Sequence, residues 1–498
     1  MRLLLSLHLP LLPLEALRPS WSEPGPCTVL HQEQVVVASR EASMQGVRVG
    51  MRAGGVSAIA PDTKTLERSF DKEQSALDAI AMALLQYTPE VTFADDFSIV
   101  LDVSASLRLF GGPLAICRNI AASVAALGFS ASLGAAPTAK GAWLLARSTR
   151  GKSHPLARRV LKMRTLTRRL DALPCHLLPA TQPHGDWLAG IGARNLGALR
   201  RLPRAGLMRR TSLQLVQELD QAYGDLSEMF EWITVPATFC ASIETFDRIE
   251  HAQALLFGAR RLILQMTGWL VAQQLAVTSI ALALEHERGR TKMPPTVLDI
   301  ALAEPAWKDE HLIRLLKERL DKVELTAPVI SLTLHARQLV AMLPPTESLF
   351  PEPGGTPADF HRLLELLTAR LGADNVLTPT SSQDHRPEVC NAWIPATDKP
   401  AKKCVAGEAL ERPFWILTKP IALLMRNERP FYGSPLMLIS GPERIEAGWW
   451  NDAAATRDYF IAQGSDASCY WIYLERMQQG RIEHGAQAAR WFLHGLYA

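Results

Sequence analysis

Three acids in this 498-residue chain stand at a spacing that suits metal chemistry. Asp95 and Asp96 are adjacent, and Asp102 follows inside the apolar run Phe97-Ser-Ile-Val-Leu-Asp-Val103. That run reads as a buried strand over 99–103. Carboxylates from neighbouring strands can hold a pair of Mg2+ ions for phosphoryl transfer, because each supplies hard oxygen ligands and offsets positive charge. The same residues also suit an ordinary core strand with a solvated acidic entry. Which reading holds depends on the elements around them.

The totals narrow the field. Lys and Arg number 53 against 50 Asp and Glu, a net charge of +3, so any basic surface must be local. Hydrophobic residues make up 48% and charged residues 21%. Those fractions belong to a globular chain, and the length predicts roughly three to five domains. The cysteines, at 27, 117, 175, 240, 390, 404 and 469, show no C-x-x-C and no short Cys/His spacing. That pattern predicts free thiols in a reducing cytoplasm and no structural zinc. Met1–Leu14 is apolar enough for a secretory signal, but His8, Pro10 and Pro13 interrupt it and no small-x-small cleavage site follows. A buried first strand over 2–8 is the expectation. No stretch has the roughly 18 uninterrupted apolar residues of a membrane span.

Taken in order, Gln34–Ala38 reads as a short strand, followed by a helix from Ser39 that breaks at Gly46 and resumes after Gly50-Met51. An amphipathic helix over 72–87 leads into the Asp102 strand. A helix over 113–127, a strand over 130–133 and a helix over 137–148 complete a split βαβ layer with helices on one face. Residues 155–180 read as a basic, proline-punctuated connector with Arg158, Arg159, Arg164, Arg168 and Arg169. Gly190-Ile191-Gly192 then lies between two helical runs, and Arg194, Arg200, Arg201, Arg204, Arg209 and Arg210 surround it with positive charge. A tight turn of this kind leaves backbone N–H groups free for a DNA phosphate, or merely joins two helices. From about 241 the pattern is a helix over 252–274, strands over 276–285 and 297–303, a helix over 308–323, a strand over 328–336 and a later helix over 357–371. This is a two-layer α+β unit.

Between the last strand and helix lies Leu343–Gly355, kept extended by its prolines. Within it Thr346-Glu347-Ser348-Leu349-Phe350 resembles the bacterial sliding-clamp motif Gln-x-x-Leu-Phe, with Thr in place of Gln. Leu349 and Phe350 would be two adjacent anchors for a hydrophobic pocket. The alternative is that they tuck the connector onto its own domain. Gln338–Leu343 is a second, weaker candidate. In the last 120 or so residues, Asp384-His385-Arg386 and Arg457-Asp458-Tyr459 have no nucleophile or ligand at a diagnostic spacing, so they read as structural ion pairs. Short tryptophan-rich strands with glycine turns predict a compact β-rich module whose exposed aromatics suit a protein partner.

Gly46-Val47-x-x-Gly50-Met51, Leu101-Asp102-Val103, Ser132-Leu133-Gly134 and the Ala-rich helix after them resemble landmarks of the Y-family translesion DNA polymerases, in the same order from residue 1 to about 345. Gly441–Trp450 and Trp491–Leu496 resemble one branch, the ImuB proteins, catalytically inactive mutasome subunits of bacterial DNA-damage tolerance. With these signatures the resemblance spans essentially the whole chain. It implies an α+β multidomain fold: palm and fingers over 1–160, a helix-hairpin-helix thumb over 161–238, a little-finger domain with the clamp-binding connector over 239–375, and a β-rich partner-binding module over 376–498. In the little finger, Arg260, Arg261, Arg288, Arg290 and Lys292 either track DNA backbone or form a solvated face.

Laid against that family, the chemistry is missing. The two metal-facing acids of the first strand fall on Ser6 and His8, and the Asp-Glu pair falls on Phe97 and Ser98 unless a gap brings in Asp95-Asp96. The Tyr and Arg that hold the triphosphate fall on Arg40 and Ser43, and a later lysine falls on Trp143. The resemblance thus implies no catalytic residues, no metal and no cofactor. It implies instead a cytoplasmic, nucleoid-associated scaffold in SOS-induced translesion synthesis and mutagenesis. Its expected partners are DNA, the sliding clamp (β subunit), an error-prone C-family DNA polymerase and the RecA-like accessory protein ImuA. The rival expectation is an active lesion-bypass polymerase whose metal site is rebuilt from Asp95, Asp96 and Asp102.

Overall fold

The structure, a computed structural model, describes residues 2–18, 25–148, 158–287, 294–325, 327–342, 357–382, 384–396, 398, 412–450, 454–476 and 490–497. The chain divides into two compact units, Met1–Arg362 and Leu363–Ala498.

The first unit is built on β1 (Leu4–His8), a central strand rather than an N-terminal appendage. Leu3, Leu5, Leu7 and Leu9 alternate with Leu4, Ser6 and His8, so the odd residues share one face of the sheet. A short helix α1 (Leu12–Leu17) follows. Strands β2 (Cys27–His31), β3 (Gln34–Ala38) and β4 (Lys64–Glu67) then form a small separate sheet. Helices α2 (Arg40–Met44) and α3 (Ala53–Ile59) pack on it around Leu30, Val35, Ala42 and Val56. The expected break between them is there, with Gly46 at φ +100° and Gly50 at φ +84°.

Helix α4 (Phe70–Leu84) returns the chain to β5 (Val91–Ala94) and β6 (Ser98–Asp102), and α5 (Pro113–Ala126), β7 (Ser132–Ala136) and α6 (Ala139–Arg147) follow. The order β5-β6-β1-β7, antiparallel throughout, is the split βαβ arrangement expected from the sequence. Two features differ from expectation. The acidic entry is a hairpin turn, Asp95–Phe97, joining β6 to a strand, β5, that the sequence reading lacked, and Asp96 (φ 57°) and Phe97 (φ 49°) take the left-handed geometry of a tight hairpin turn without glycine. The helices also lie on both faces. α4 and α5 cover the odd leucines through Ile80, Leu84, Ile116 and Ile120. α6 covers the other face, where a Cβ at Gly134 would lie 2.2 Å from the Ala142 carbonyl oxygen. Only glycine permits that approach.

Five helices come next: α7 (Met163–Asp171), α8 (Gly185–Gly190), α9 (Leu196–Arg200), α10 (Arg204–Arg210) and α11 (Leu213–Tyr223). They share a core of Leu166, Leu170, Leu188, Leu196, Leu199, Leu215 and Leu219. The basic connector expected over 155–180 is therefore partly a helix. Leu166 and Leu170 supply its buried stripe, a signal hidden by the arginines around them.

The last domain of this unit runs β8 (Cys240–Ile249), α12 (Leu255–Gln273), β9 (Leu275–His286), β10 (Thr296–Ala306), α13 (Asp309–Leu320) and β11 (Val329–Ala341), with sheet order β10-β9-β11-β8. Every element matches the sequence reading except β8, which it lacked. α12 crosses α4 so closely that a Cβ at Gly268 would meet the Met82 carbonyl oxygen at 2.0 Å, and Leu264 joins the core of the first sheet. Arg261 corrects the sequence reading. It is 7% exposed, with its guanidinium 4.3 Å from the Phe129 ring, and burial lowers its pKa to about 10. Arg261 neither tracks DNA nor solvates a face. Arg288, Arg290 and Lys292 lie outside the described residues. Helix α14 (Pro357–Leu371) runs across the boundary between the two units, at Arg362 and Leu363.

The second unit is β-rich, as expected. Its largest sheet orders Trp415–Ala422, Arg490–Leu496, Cys469–Glu475, Ala455–Gln463 and Met437–Leu438, with Glu443–Ala447 also paired to Ala455–Gln463. Tyr459 stacks on Trp471 at 4.0 Å, and its hydroxyl lies 2.7 Å from His494 Nδ1. The groupings read as structural ion pairs are ion-paired: Arg386 with Asp384 at 2.7 Å, Arg444 with Asp458 at 2.9 Å and Arg457 with Glu388 at 3.0 Å. Phe414, Trp415 and Trp449 remain exposed at 92%, 69% and 77%, which separates them from the aromatic core.

Candidate functional site

Ser6 and His8 lie two apart on β1, on the sheet face that α6 covers. Across the sheet Ser6 opposes Val100 and His8 opposes Ser98. Ser6 is fully buried, and its hydroxyl finds no hydrogen-bond partner among the described residues. His8 Nδ1 lies 2.9 Å from the Asp96 carbonyl oxygen and 3.3 Å from the Ser98 hydroxyl. Burial lowers the His8 pKa below its ordinary 6.5 against the opposing pull of Asp96, so the imidazole is neutral at pH 7. Phe97 sits in the adjoining turn, 5.5 Å from the Arg68 guanidinium. The structure thus gathers His8, Phe97 and Ser98 at one end of the sheet. Ser43 donates its hydroxyl to the Ser39 carbonyl at 2.8 Å within α2, and Arg40 is exposed on the same helix.

The three acids do not converge. β6 rises about 3.3 Å per residue, so Asp102 lies about 13 Å along the strand from Ser98 and the turn. Each acid also has a partner. Asp102 accepts the Ser104 backbone N–H at 3.0 Å and the Ser104 hydroxyl, and sits 3.5 Å from Arg2. Asp96 pairs with Arg147 at 2.6 Å, and Asp95 lies 3.9 Å from Lys140. Among the described residues no group of three His, Cys, Asp or Glu could hold a metal ion. A donor set of one buried serine, one neutral imidazole and dispersed, ion-paired carboxylates does not fit two Mg2+ ions.

Of the residues that clamp the turn, Trp143 was named from the sequence, while Lys140 and Arg147 were not. Lys140, Trp143 and Arg147 share one stripe of α6 by their i, i+3, i+7 spacing. Trp143 is 2% exposed and donates its indole N–H to the Asp95 carbonyl at 3.0 Å. Lys140 Nζ and the Arg147 guanidinium stand 4.4 Å and 4.2 Å from its ring. Lys140 also pairs with buried Glu218 at 3.4 Å, without hydrogen-bond geometry, so Glu218 Oε2 has no hydrogen-bond partner among the described residues. The stripe could have been noticed in the sequence; its partners could not.

Beside the clamp is a cleft of ≈ 380 Å³ whose lining includes Phe93, Asp95, Lys140, Trp143, Glu228 and Phe230. The Glu228 carboxylate accepts the backbone N–H groups of Ala139 and Lys140 at 2.7 and 2.6 Å, so it caps the start of α6, while burial pushes its pKa up. The chain after Glu228 continues along the β5 edge: the Thr92 hydroxyl donates to the Glu231 carbonyl at 2.8 Å and the Ile233 N–H to the Val91 carbonyl at 2.9 Å.

In the helical domain the Gly-x-Gly turn differs from expectation. Gly192 takes φ +77°, but the N–H groups of Ile191, Gly192, Ala193 and Arg194 donate to the carbonyls of Trp187, Ala189, Leu188 and Gly192 at 2.9–3.1 Å. They are not free for a phosphate. The arginines divide into two sets. Arg200 lies over the Tyr223 ring at 4.3 Å and 3.4 Å from Asp225, and Arg204 makes a bidentate pair with Asp220. Arg194, Arg201, Arg209 and Arg210 are exposed and have no ion-pair partner among the described residues. Thr346, Glu347, Ser348, Leu349 and Phe350 lie outside the described residues.

Residues 14–147 match the model of the impB/mucB/samB family. Protein ImuB of Caulobacter vibrioides, in two strains, is 25% identical over 472 residues, covering 91% of this chain and 100% of that protein. A ternary complex of Dbh with partially disordered substrates matches 67% of this chain and 98% of its own with 15% identity and a TM-score of 0.40. An insertion ternary complex of Dbh DNA polymerase gives 68%, 100%, 14% and 0.40. Over nearly its whole length the chain is similar to ImuB.

Proposed function

We propose that this chain is a polymerase-like scaffold in translesion DNA synthesis that performs no nucleotidyl transfer of its own. The observation that carries this reading is the charge pairing of the palm sheet. Asp95, Asp96 and Asp102 each face a cation of the same chain, and β1 presents Ser6 and His8 where a two-metal site needs carboxylates. Titration with Mn2+, read by paramagnetic relaxation, tests it. The expected result is no saturable binding at millimolar or tighter affinity, and a saturable site lost on Asp95→Ala/Asp96→Ala would overturn the reading.

In this reading residues 161–238 act as a thumb that holds DNA through the side chains of Arg194, Arg201, Arg209 and Arg210, with the Gly190–Gly192 turn shaping the hairpin rather than donating to phosphate. Residues 1–160 are palm and fingers, and 239–375 a little finger. Residues 346–350 dock on the sliding clamp, with Leu349 and Phe350 as anchors. Residues 376–498 serve the error-prone C-family polymerase and the RecA-like ImuA, in the cytoplasm and at the nucleoid during the SOS response. The resemblance to ImuB supports these partner assignments. Clamp pull-down tests the docking segment: Leu349→Ala/Phe350→Ala should abolish retention, and equal retention would remove the site.

A further inference from the structure

The described residues leave one strongly charged face without a role. Between residues 161 and 224 ten Lys and Arg stand against four Asp and Glu, a local excess of six on a chain whose total is +3. Four of the ten lie on α7 or at its start: Lys162, Arg164, Arg168 and Arg169. Leu166 and Leu170 are fully buried. At 100° per residue Arg164 and Arg168 form the stripe directly opposite them, one turn apart, and so point to solvent. All four cations are exposed and have no ion-pair partner among the described residues. Arg158, from the same basic stretch, is different: it donates to the Ser132 hydroxyl at 2.6 Å and the Ser148 carbonyl at 3.1 Å.

Helix electrostatics sharpen the point. Arg168 and Arg169 occupy the last turn, where the dipole favours cations, so their presence has an internal explanation. Lys162 at the N-cap and Arg164 in the first turn have none. They sit at the positive end of the dipole, with no acid in that turn to offset them. A local rule broken without internal compensation points to an anion outside the chain. The Gly-x-Gly turn has no N–H to give to such an anion, so side chains must supply the phosphate contacts.

We propose that the Arg164–Arg168 face of α7 grips the sugar–phosphate backbone of DNA, as a contact separate from that of Arg201, Arg209 and Arg210. This rests on the reading of residues 161–238 as a DNA-holding domain. The contact is through charge and carries no sequence preference.

The test measures binding of the full chain to a labelled primer–template duplex by fluorescence anisotropy between about 50 and 200 mM salt. Arg164→Gln/Arg168→Gln removes two phosphate contacts, so the slope of log K against log salt should become shallower by about 1.8. Arg164→Lys/Arg168→Lys should keep the original slope, and circular-dichroism melts should be unchanged in both, because the side chains touch nothing inside. Arg209→Gln/Arg210→Gln is the independent arm. If it flattens the slope while the α7 Gln pair does not, the α7 contact is overturned and the DNA-holding domain stands. An acidic protein as the real occupant of α7 would give that same result. If neither pair changes the slope, both readings fall. If only the α7 pair does, this proposal holds and the α10 contact is lost.

Discussion

The β5-β6-β1-β7 sheet and the helical domain after it treat charge in opposite ways. At the β5–β6 turn Asp95 meets Lys140 and Asp96 meets Arg147, and at the far end of β6 Asp102 meets Arg2. The helical domain instead pairs two arginines, Arg200 and Arg204, and leaves the rest facing water. A site that binds metal and phosphate keeps unbalanced charge for its ligand. A site whose charges are balanced internally has no electrostatic reason to attract one. The contrast is that the acids of the first sheet are balanced within the chain, whereas most arginines of the helical domain are not.

The strongest way to break the contrast is to lift the clamp from the sheet. Gly134→Val places side-chain atoms inside the Ala142 carbonyl and forces α6 away, at a cost of about 3 kcal/mol or more. Thermal melting should show a large loss, and a near-native midpoint would mean that α6 is not held as described. Arg147→Met is gentler. It leaves the exposed Asp96 without its cation and removes the guanidinium from the Trp143 ring, at a cost of about 1 kcal/mol. Chemical denaturation checks this, and loss of less than about 0.5 kcal/mol would show the pair to be incidental.

A third test uses pH. Burial lowers the pKa of both His8 and His494 below 6.5, so the folded chain binds protons on them less readily than the unfolded chain does. Their contribution is complete above the unfolded value and is lost as pH falls below about 6.5. Melting midpoints should therefore drop between about pH 7 and 5, and His8→Gln should flatten that drop for the first unit alone. An unchanged profile would place His8 in water. The smallest effect belongs to the other side of the contrast. Arg204→Gln removes an exposed pair with Asp220 and should cost only about 0.5 kcal/mol, with the salt dependence of DNA binding untouched.

How much of this was legible depended on whether the signal was local. β1, β3, β6, β7, β9, β10, β11, α4, α5, α12 and α13 follow from apolar periodicity and were readable to within a few residues. β2, β4, β5 and β8 were not: β5 is four residues long between Pro89 and Asp95, and β8 alternates weakly polar residues that become a strand only against β11. α7 was masked by its arginines. At the palm, the residue identities at 6, 8, 97, 98 and 143 could be read directly. The pairing of Lys140 and Arg147 with a turn some fifty residues earlier, and the capping of α6 by Glu228, depend on tertiary approach and leave no pattern in the chain. The same limit explains Arg261, whose charge suggested a surface and whose neighbour Phe129 lies 132 positions away.

The most direct test of the central claim is primer extension by the purified chain on a damaged or intact template, with Mg2+ or Mn2+, the sliding clamp present and any other polymerase absent. A sheet whose carboxylates are dispersed and ion-paired should add no nucleotide. Extension that requires the divalent ion and disappears with Asp95→Ala, Asp96→Ala or Asp102→Ala would contradict the account.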